Sequence, residues 1–322
     1  MNFWTRYWFD PRPVLDIAIV RIVCCVTTLY FCVAFLHYHA EILDRALLDD
    51  TLYRPFLLFR LVHLPFGWGY SGSGGADGLG TWAFRPSGDF VLLAYSVFIV
   101  SGVMAAIGLL TRTSLLVFAA SYFYVESYIF AYGDFHHPSA AMVIMLGLLA
   151  LSPAGQVLSV DNVLRARRGA AIDLHADAPF AGWAIRLMQW FFALMYLSAF
   201  YSKLHFGGLD WMNGYTLQYY LIQDGLRWGS GLAVWVAQFH WLILLGQIGV
   251  MVFQGTFFLE VLFPRLRWIY IPIGLCLHIS IYILLHAPFF TWIALYSIFI
   301  PWRDVADYFG HRSGRISQAG EL

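Results

Sequence analysis

Apolar runs long enough to cross a bilayer decide what this chain can become. The first occupies residues 14–36 and is interrupted at depth by Arg21; others cover about 90–110, 114–132, 138–152, 184–203, 240–262, 268–286 and 289–301. A hydrocarbon core about 30 Å thick takes roughly 20 apolar residues as a helix, and backbone in lipid must satisfy its own hydrogen bonds. The pattern predicts an all-α fold, a polytopic integral membrane helical bundle of about eight transmembrane helices. Composition agrees: 60% of the 322 residues are hydrophobic and 12% charged, unlike a soluble domain. Arg21, placed within a span, has to find a partner there, and a structural pair is expected.

The intervals between the runs carry the topology. Residues 37–89 form the longest polar one, read as an insertion outside the cytoplasm and partly at the membrane surface. Its glycine run at 71–78 lacks the Gly-Lys-Ser/Thr ending of a phosphate cradle. Run 14–36 is too long for a signal-peptide core, so it reads as an uncleaved first span. With the N-terminus inside, Arg6, Arg12, Arg112, Arg165, Arg167, Arg168, Arg265 and Arg267 all face the cytoplasm, as the positive-inside rule asks. Both termini, including the tail 303–322, are then cytoplasmic, and loops 133–137 and 204–231 lie outside. An amphipathic piece with Trp228, Trp235 and His240 precedes the sixth span.

Several function classes drop out. Formal charge is zero and no nucleic-acid motif occurs. Cys24, Cys25, Cys32 and Cys276 all sit in apolar runs, with neither a disulfide framework nor zinc spacing. There is no His-Glu-x-x-His, and the neighbouring His136 and His137 diverge on an ordinary backbone, so no metal site is expected.

Lys203 is the residue that stands out. It is the sole lysine among 19 cationic side chains, the rest being arginines. Arginine snorkels and pairs at least as well as lysine, but it cannot give up its proton. From Arg186 to Lys203 is about 25 Å of helix at roughly 1.5 Å per residue, slightly short of the core thickness, so the amine is expected just below the interface. An amine held there can work as a base. The topology brings Glu126, His136, His137, His205 and His286 to the same side. Glu126, one of the two histidines and Lys203 are expected to share a pocket, because polar groups in lipid must find each other or water. His278, mid-span, is a supporting candidate.

Ser202-Lys203-Leu204 followed by Asp210-Trp211-x-x-Gly214-Tyr215-Thr216 resembles the vitamin K-dependent gamma-carboxylase pattern of a lysine-leucine pair and Asp-Trp-x-x-Gly-Tyr-Ser. Leu151-Ser-Pro-Ala-Gly-x-x-x-Ser159-Val-Asp161 is similar to a second landmark of the wider bacterial group that shares the horizontally transferred transmembrane (HTTM) domain. The resemblance covers about residues 3–303. It implies a multi-pass protein of the bacterial inner membrane with a quinone cofactor, vitamin K hydroquinone or menaquinone-like. Lys203 would be the base that deprotonates the hydroquinone, with His137 or His136 as the catalytic histidine and His278, Glu126, Trp211 and Tyr215 as cofactor-binding residues. In the carboxylases, oxygen then yields an alkoxide that removes a glutamyl γ-proton, and carbon dioxide traps the carbanion. This chain departs from that pattern at Ser202, where the family has a second lysine, and at Ile281, where it has asparagine after the histidine. It also lacks the large extracytoplasmic domain that binds substrate protein. A quinone-using oxidoreductase or carboxylase-like enzyme is therefore the leading expectation. The alternatives are an accessory protein, like HTTM proteins that mature and export sporulation-delaying peptide toxins, and a structural subunit of a membrane complex. Expected partners are membrane lipid, a quinone and a small peptide or protein substrate, with no nucleic acid.

Overall fold

Helices occupy the stretches that hydropathy assigns to the membrane. The computed structural model describes residues 2–49, 52–55, 85–133 and 137–319, apart from the side chains of 137–138 and 311–319. Among them, five helical segments are long and apolar enough to cross a membrane: Val14–Phe35, Gly88–Ile107, Thr111–Phe130, Pro179–Met212 and Pro264–Leu285. The other three expected spans are apolar helices too, but shorter: Ser139–Leu151, His240–Thr256 and Phe290–Phe299. The chain packs as two compact units, residues 1–184 with 301–322, and residues 185–300.

The first unit opens with α1 (Phe3–Phe9), capped by Asn2, whose Oδ1 accepts from Thr5 N at 2.8 Å. Then come α2 (Val14–Leu29), continued as a π-helical turn over Tyr30–Phe35, and α3 (Tyr38–Ala46). They are followed by α4 (Gly88–Ile107), α5 (Thr111–Phe130), α6 (His137–Leu151) and α7 (Val160–Arg167). Helix α5 is the centre: Leu115, Phe118, Tyr122, Val125, Tyr128 and Ile129 are all buried, and α4 and α6 pack on it. Phe98 of α4 meets the rings of Phe118 and Tyr122 at 4.9 and 5.4 Å. Between lipid-embedded helices such packing, rather than exclusion of water, holds the elements together.

Arg21 is fully buried on α2 and finds the structural partner that its depth demands. Its guanidinium donates to the carbonyls of Ala154 at 3.1 Å and Leu158 at 2.5 Å. These belong to the turn after α6, where the backbone has left the helical ladder and its oxygens need donors. A two-residue ribbon, β1 (Arg12–Pro13) antiparallel to β2 (Asp177–Ala178), closes the same end.

Helix α8 (Pro179–Gly207) begins in the first unit and continues into the second. A 3-10 turn (Gly208–Met212) leads to α9 (Tyr215–Trp228), α10 (Gly231–Val236), α11 (His240–Thr256) and the short α12 (Leu259–Leu262). Then follow α13 (Arg267–Leu285) and α14 (Phe290–Leu295), extended by a 3-10 turn over Tyr296–Phe299. The core of this unit is aromatic: Phe192 packs against Phe257 at 5.7 Å and Trp292 at 5.1 Å between ring centroids. Glu260, fully buried, is paired with Arg267 at 3.2 Å, and Arg267 also donates to Gln189 Oε1 at 3.3 Å. The last helix, α15 (Trp302–Ala319), returns to the first unit. Arg303 fixes it there, through its backbone N to Asp16 Oδ1 at 2.8 Å and its guanidinium to Asp177 at 2.7 Å.

Candidate functional site

Lys203 lies on the last full turns of α8, half-buried. Its Nζ donates to the carbonyl of Ala199, one turn back, at 3.3 Å and stands 5.4 Å from the centroid of the Trp211 ring. No carboxylate among the described residues forms an ion pair with it. Trp211 reaches this position because the helix gives way at Gly207 to the 3-10 turn, folding the indole back towards α8. The backbone oxygen of Trp211 accepts a hydrogen bond from Nε2 of Gln247, a fully buried residue of α11. Oε1 of Gln247 is buried and has no hydrogen-bond partner among the described residues. Lys203 thus bears on the ring of Trp211 and Gln247 on its backbone carbonyl.

Two turns before Lys203, on the same face of α8, Tyr196 anchors a buried polar cluster. Its hydroxyl lies 2.6 Å from Nε2 of His278 and 2.6 Å from the hydroxyl of Tyr296. Phe289 and Trp292 wall the imidazole at 5.1 and 5.7 Å between ring centroids. Tyr296 fits because α13 carries Gly274 one turn before His278: a Cβ there would collide with the Tyr296 hydroxyl and ring. His278, the supporting candidate, belongs to a Tyr-Tyr-His chain.

Tyr215 stacks on His240, the first residue of α11, with ring centroids 4.4 Å apart. Its neighbour Gly214 has φ +86°, and a Cβ on it would stand 2.8 Å from His240 Cε1, so position and conformation both call for glycine. Gln218 ties the arrangement by accepting at 3.2 Å from His240 Nδ1 and donating to Ala237 O at 2.7 Å.

Glu126 belongs to the first unit and Lys203 to the second. Glu126, almost fully buried on α5, accepts a hydrogen bond from Tyr38 of α3. Cys32, Tyr122 and Ser139 are buried as well. His137 is the first residue of α6 and so opens the helix that carries Ser139, while His136 falls outside the described residues. Among the described residues no group of three His, Cys, Asp or Glu side chains comes together as metal ligands would.

A family model for the HTTM domain matches residues 79–303, more than half of the chain. The chain belongs to the HTTM family. HTTM domains occur in vitamin K-dependent gamma-carboxylase-like proteins. No curated protein and no solved structure gives a match.

Within the HTTM match, the Leu151–Asp161 landmark is structural. Ser159 caps α7, its Oγ accepting from Asn162 N at 3.0 Å. Asp161 caps the N-terminus of α5 from a distance in sequence, accepting from Leu110 N at 2.8 Å and from Thr111 N and Oγ1 at 2.7 Å each. Partial burial pushes its carboxyl up, but the hydrogen bonds from Thr111 and Leu110 outweigh that and hold it below the usual carboxylate value. Of the Lys203–Tyr215 landmark, Trp211 lies against the lysine, whereas Gly214 and Tyr215 lie against His240. Sequence reasoning missed Gln247, Tyr196, Tyr296 and Tyr38. Polar residues inside the apolar runs at 184–203 and 240–262 were the signal for the first two, since a polar side chain in lipid needs a reason to be there.

Proposed function

We propose that this HTTM protein is a membrane enzyme of the gamma-carboxylase-like type that uses a quinone, with Lys203 as its base. The observation that carries the reading is the state of Lys203: it is half-buried, rests against Trp211 and is paired with no described carboxylate. A lysine kept for anchoring or charge balance would be expected to reach solvent or an acid.

The residues around Trp211 fit a hydroquinone by their chemistry. An aromatic diol needs a face to pack on and acceptors for its hydroxyl protons. Trp211 offers the face, Lys203 Nζ an acceptor once neutral, and Gln247, whose Oε1 has no partner among the described residues, braces the Trp211 backbone. When bound, a hydroquinone supplies the reducing electrons. Lys203 Nζ would take a hydroxyl proton of a diol packed on Trp211, and Gln247, bonded to the Trp211 carbonyl, would hold that indole in place. Tyr196, Tyr296 and His278 form a hydrogen-bonded chain on the same face of α8, able to hand a proton along.

Organic extraction of the purified protein, with mass spectrometry of the extract, tests the reading. Stoichiometric quinone in the wild type and its loss in Gln247→Ala and Trp211→Ala are expected. Wild-type protein that binds neither native quinone nor added vitamin K hydroquinone would contradict it and favour an accessory role in peptide maturation.

A further inference from the structure

Helix α9 has three faces where a loop helix in water needs two. Leu221 and Gly225 are buried, and Leu217 packs with Leu221 against α10 and α13, so one face belongs to the interior of the unit. Gln223, Asp224 and Arg227 make a polar sector. Between these two runs a third, formed by Tyr215, Tyr219, Ile222 and Leu226. Steps of four, three and four residues put these side chains on one line of the helix. They are 64, 61, 41 and 71% exposed, respectively.

An apolar stripe beside a polar sector is the pattern of a helix lying at a membrane surface. The length of α9 agrees: 14 residues reach about 21 Å, too short for a core about 30 Å thick. The flanking elements place it at the right level. It follows α8, which belongs to a segment long and apolar enough to cross the membrane, after only the Gly208–Met212 turn. Tyr215 is stacked on His240 at the start of apolar α11, whose Trp241 and Leu245, 76 and 66% exposed, continue the apolar surface. Tyrosine and tryptophan favour this interfacial level, where one edge of the ring is wet and the rest is not.

We propose that α9 lies in the plane of the membrane interface, with the Tyr215-Tyr219-Ile222-Leu226 stripe sunk into phospholipid at the boundary of headgroups and acyl chains. The segment 204–231, expected as an outside loop, is then membrane-lying over α9. Gln223, Asp224 and Arg227 face the aqueous side.

Nitroxide labels introduced through p-acetylphenylalanine leave the native cysteines in place. They are set singly at Tyr219, Ile222 and Leu226, and at Gln223 and Arg227, in full-length protein in phosphatidylcholine/phosphatidylglycerol nanodiscs. Power saturation with oxygen and with a water-soluble nickel chelate reads the depth. Stripe positions should be more accessible to oxygen than to nickel, at about 5–10 Å below the headgroups, with the order reversed at positions 223 and 227. Nickel access all round the helix would overturn the proposal by placing α9 in water. A stripe closed to both reagents would overturn it equally, because a protein partner or second copy would then cover it.

Discussion

The hydroxyl of Tyr196 lies 2.6 Å from Nε2 of His278 and is shared with Tyr296 at the same distance. One phenol therefore satisfies a histidine and a second tyrosine inside an apolar unit, where an unmade hydrogen bond is expensive. Tyr196→Phe removes two hydrogen bonds and Tyr296→Phe one. Thermal unfolding in detergent should show the first variant losing about 1–3 kcal/mol and the second about half as much. Gly274→Ala drives a methyl group into the Tyr296 hydroxyl and should cost about 1–3 kcal/mol. Combined with Tyr296→Phe it should cost less than the sum, since the first atom struck is gone. Additive losses would mean that the two positions do not touch.

Asp161 joins α7 to the start of α5, so its loss should be felt by the first unit as a whole. Asp161→Ala removes a long-range cap and should destabilise by about 1 kcal/mol. The sign of the pH effect follows from a carboxyl held below its ordinary value: its stabilisation is complete above the unfolded value near 3.9 and disappears as pH falls through the lower folded value. Wild type and Asp161→Asn should therefore differ in melting temperature at pH 7 and converge below about pH 4. A constant gap across that range would show that the charge of Asp161 is immaterial.

How much of this was legible in the sequence differs between fold and site. Run length and polarity marked the five long and three shorter apolar helices of the described residues, because the bilayer imposes one length and one backbone geometry. Arg21 was readable as a structural residue, but its carbonyl partners at 154 and 158 were not, since hydropathy says nothing of which turn ends against which helix. Lys203 was visible as the lone lysine and Trp211 through its motif. Gln247 and Tyr196 were hidden in apolar runs, where spacing alone does not show which helix face meets which. The three-sided character of α9 was also in the sequence at steps of four and three, masked by its tyrosines, which count as neither plainly polar nor plainly apolar.

The orientation of the chain is testable at two exposed positions. Asn213 and Arg168 lie on loops expected on opposite sides. A cysteine at Asn213 should react with an impermeant maleimide in intact cells, and one at Arg168 only after permeabilisation. The reverse labelling pattern would invert the topology.

The most direct test of the account is the oxygen-dependent oxidation of vitamin K hydroquinone by reconstituted wild type, Lys203→Arg and Lys203→Ala. Arginine keeps the positive charge and can still lie over Trp211, but with a pKa beyond about 12 it cannot serve as a base. Both variants should insert and melt like the wild type while turnover falls by roughly 10²-fold or more, and a small added amine should restore part of the rate to Lys203→Ala. Wild-type turnover in Lys203→Arg would contradict the central claim and leave Lys203 as an anchor.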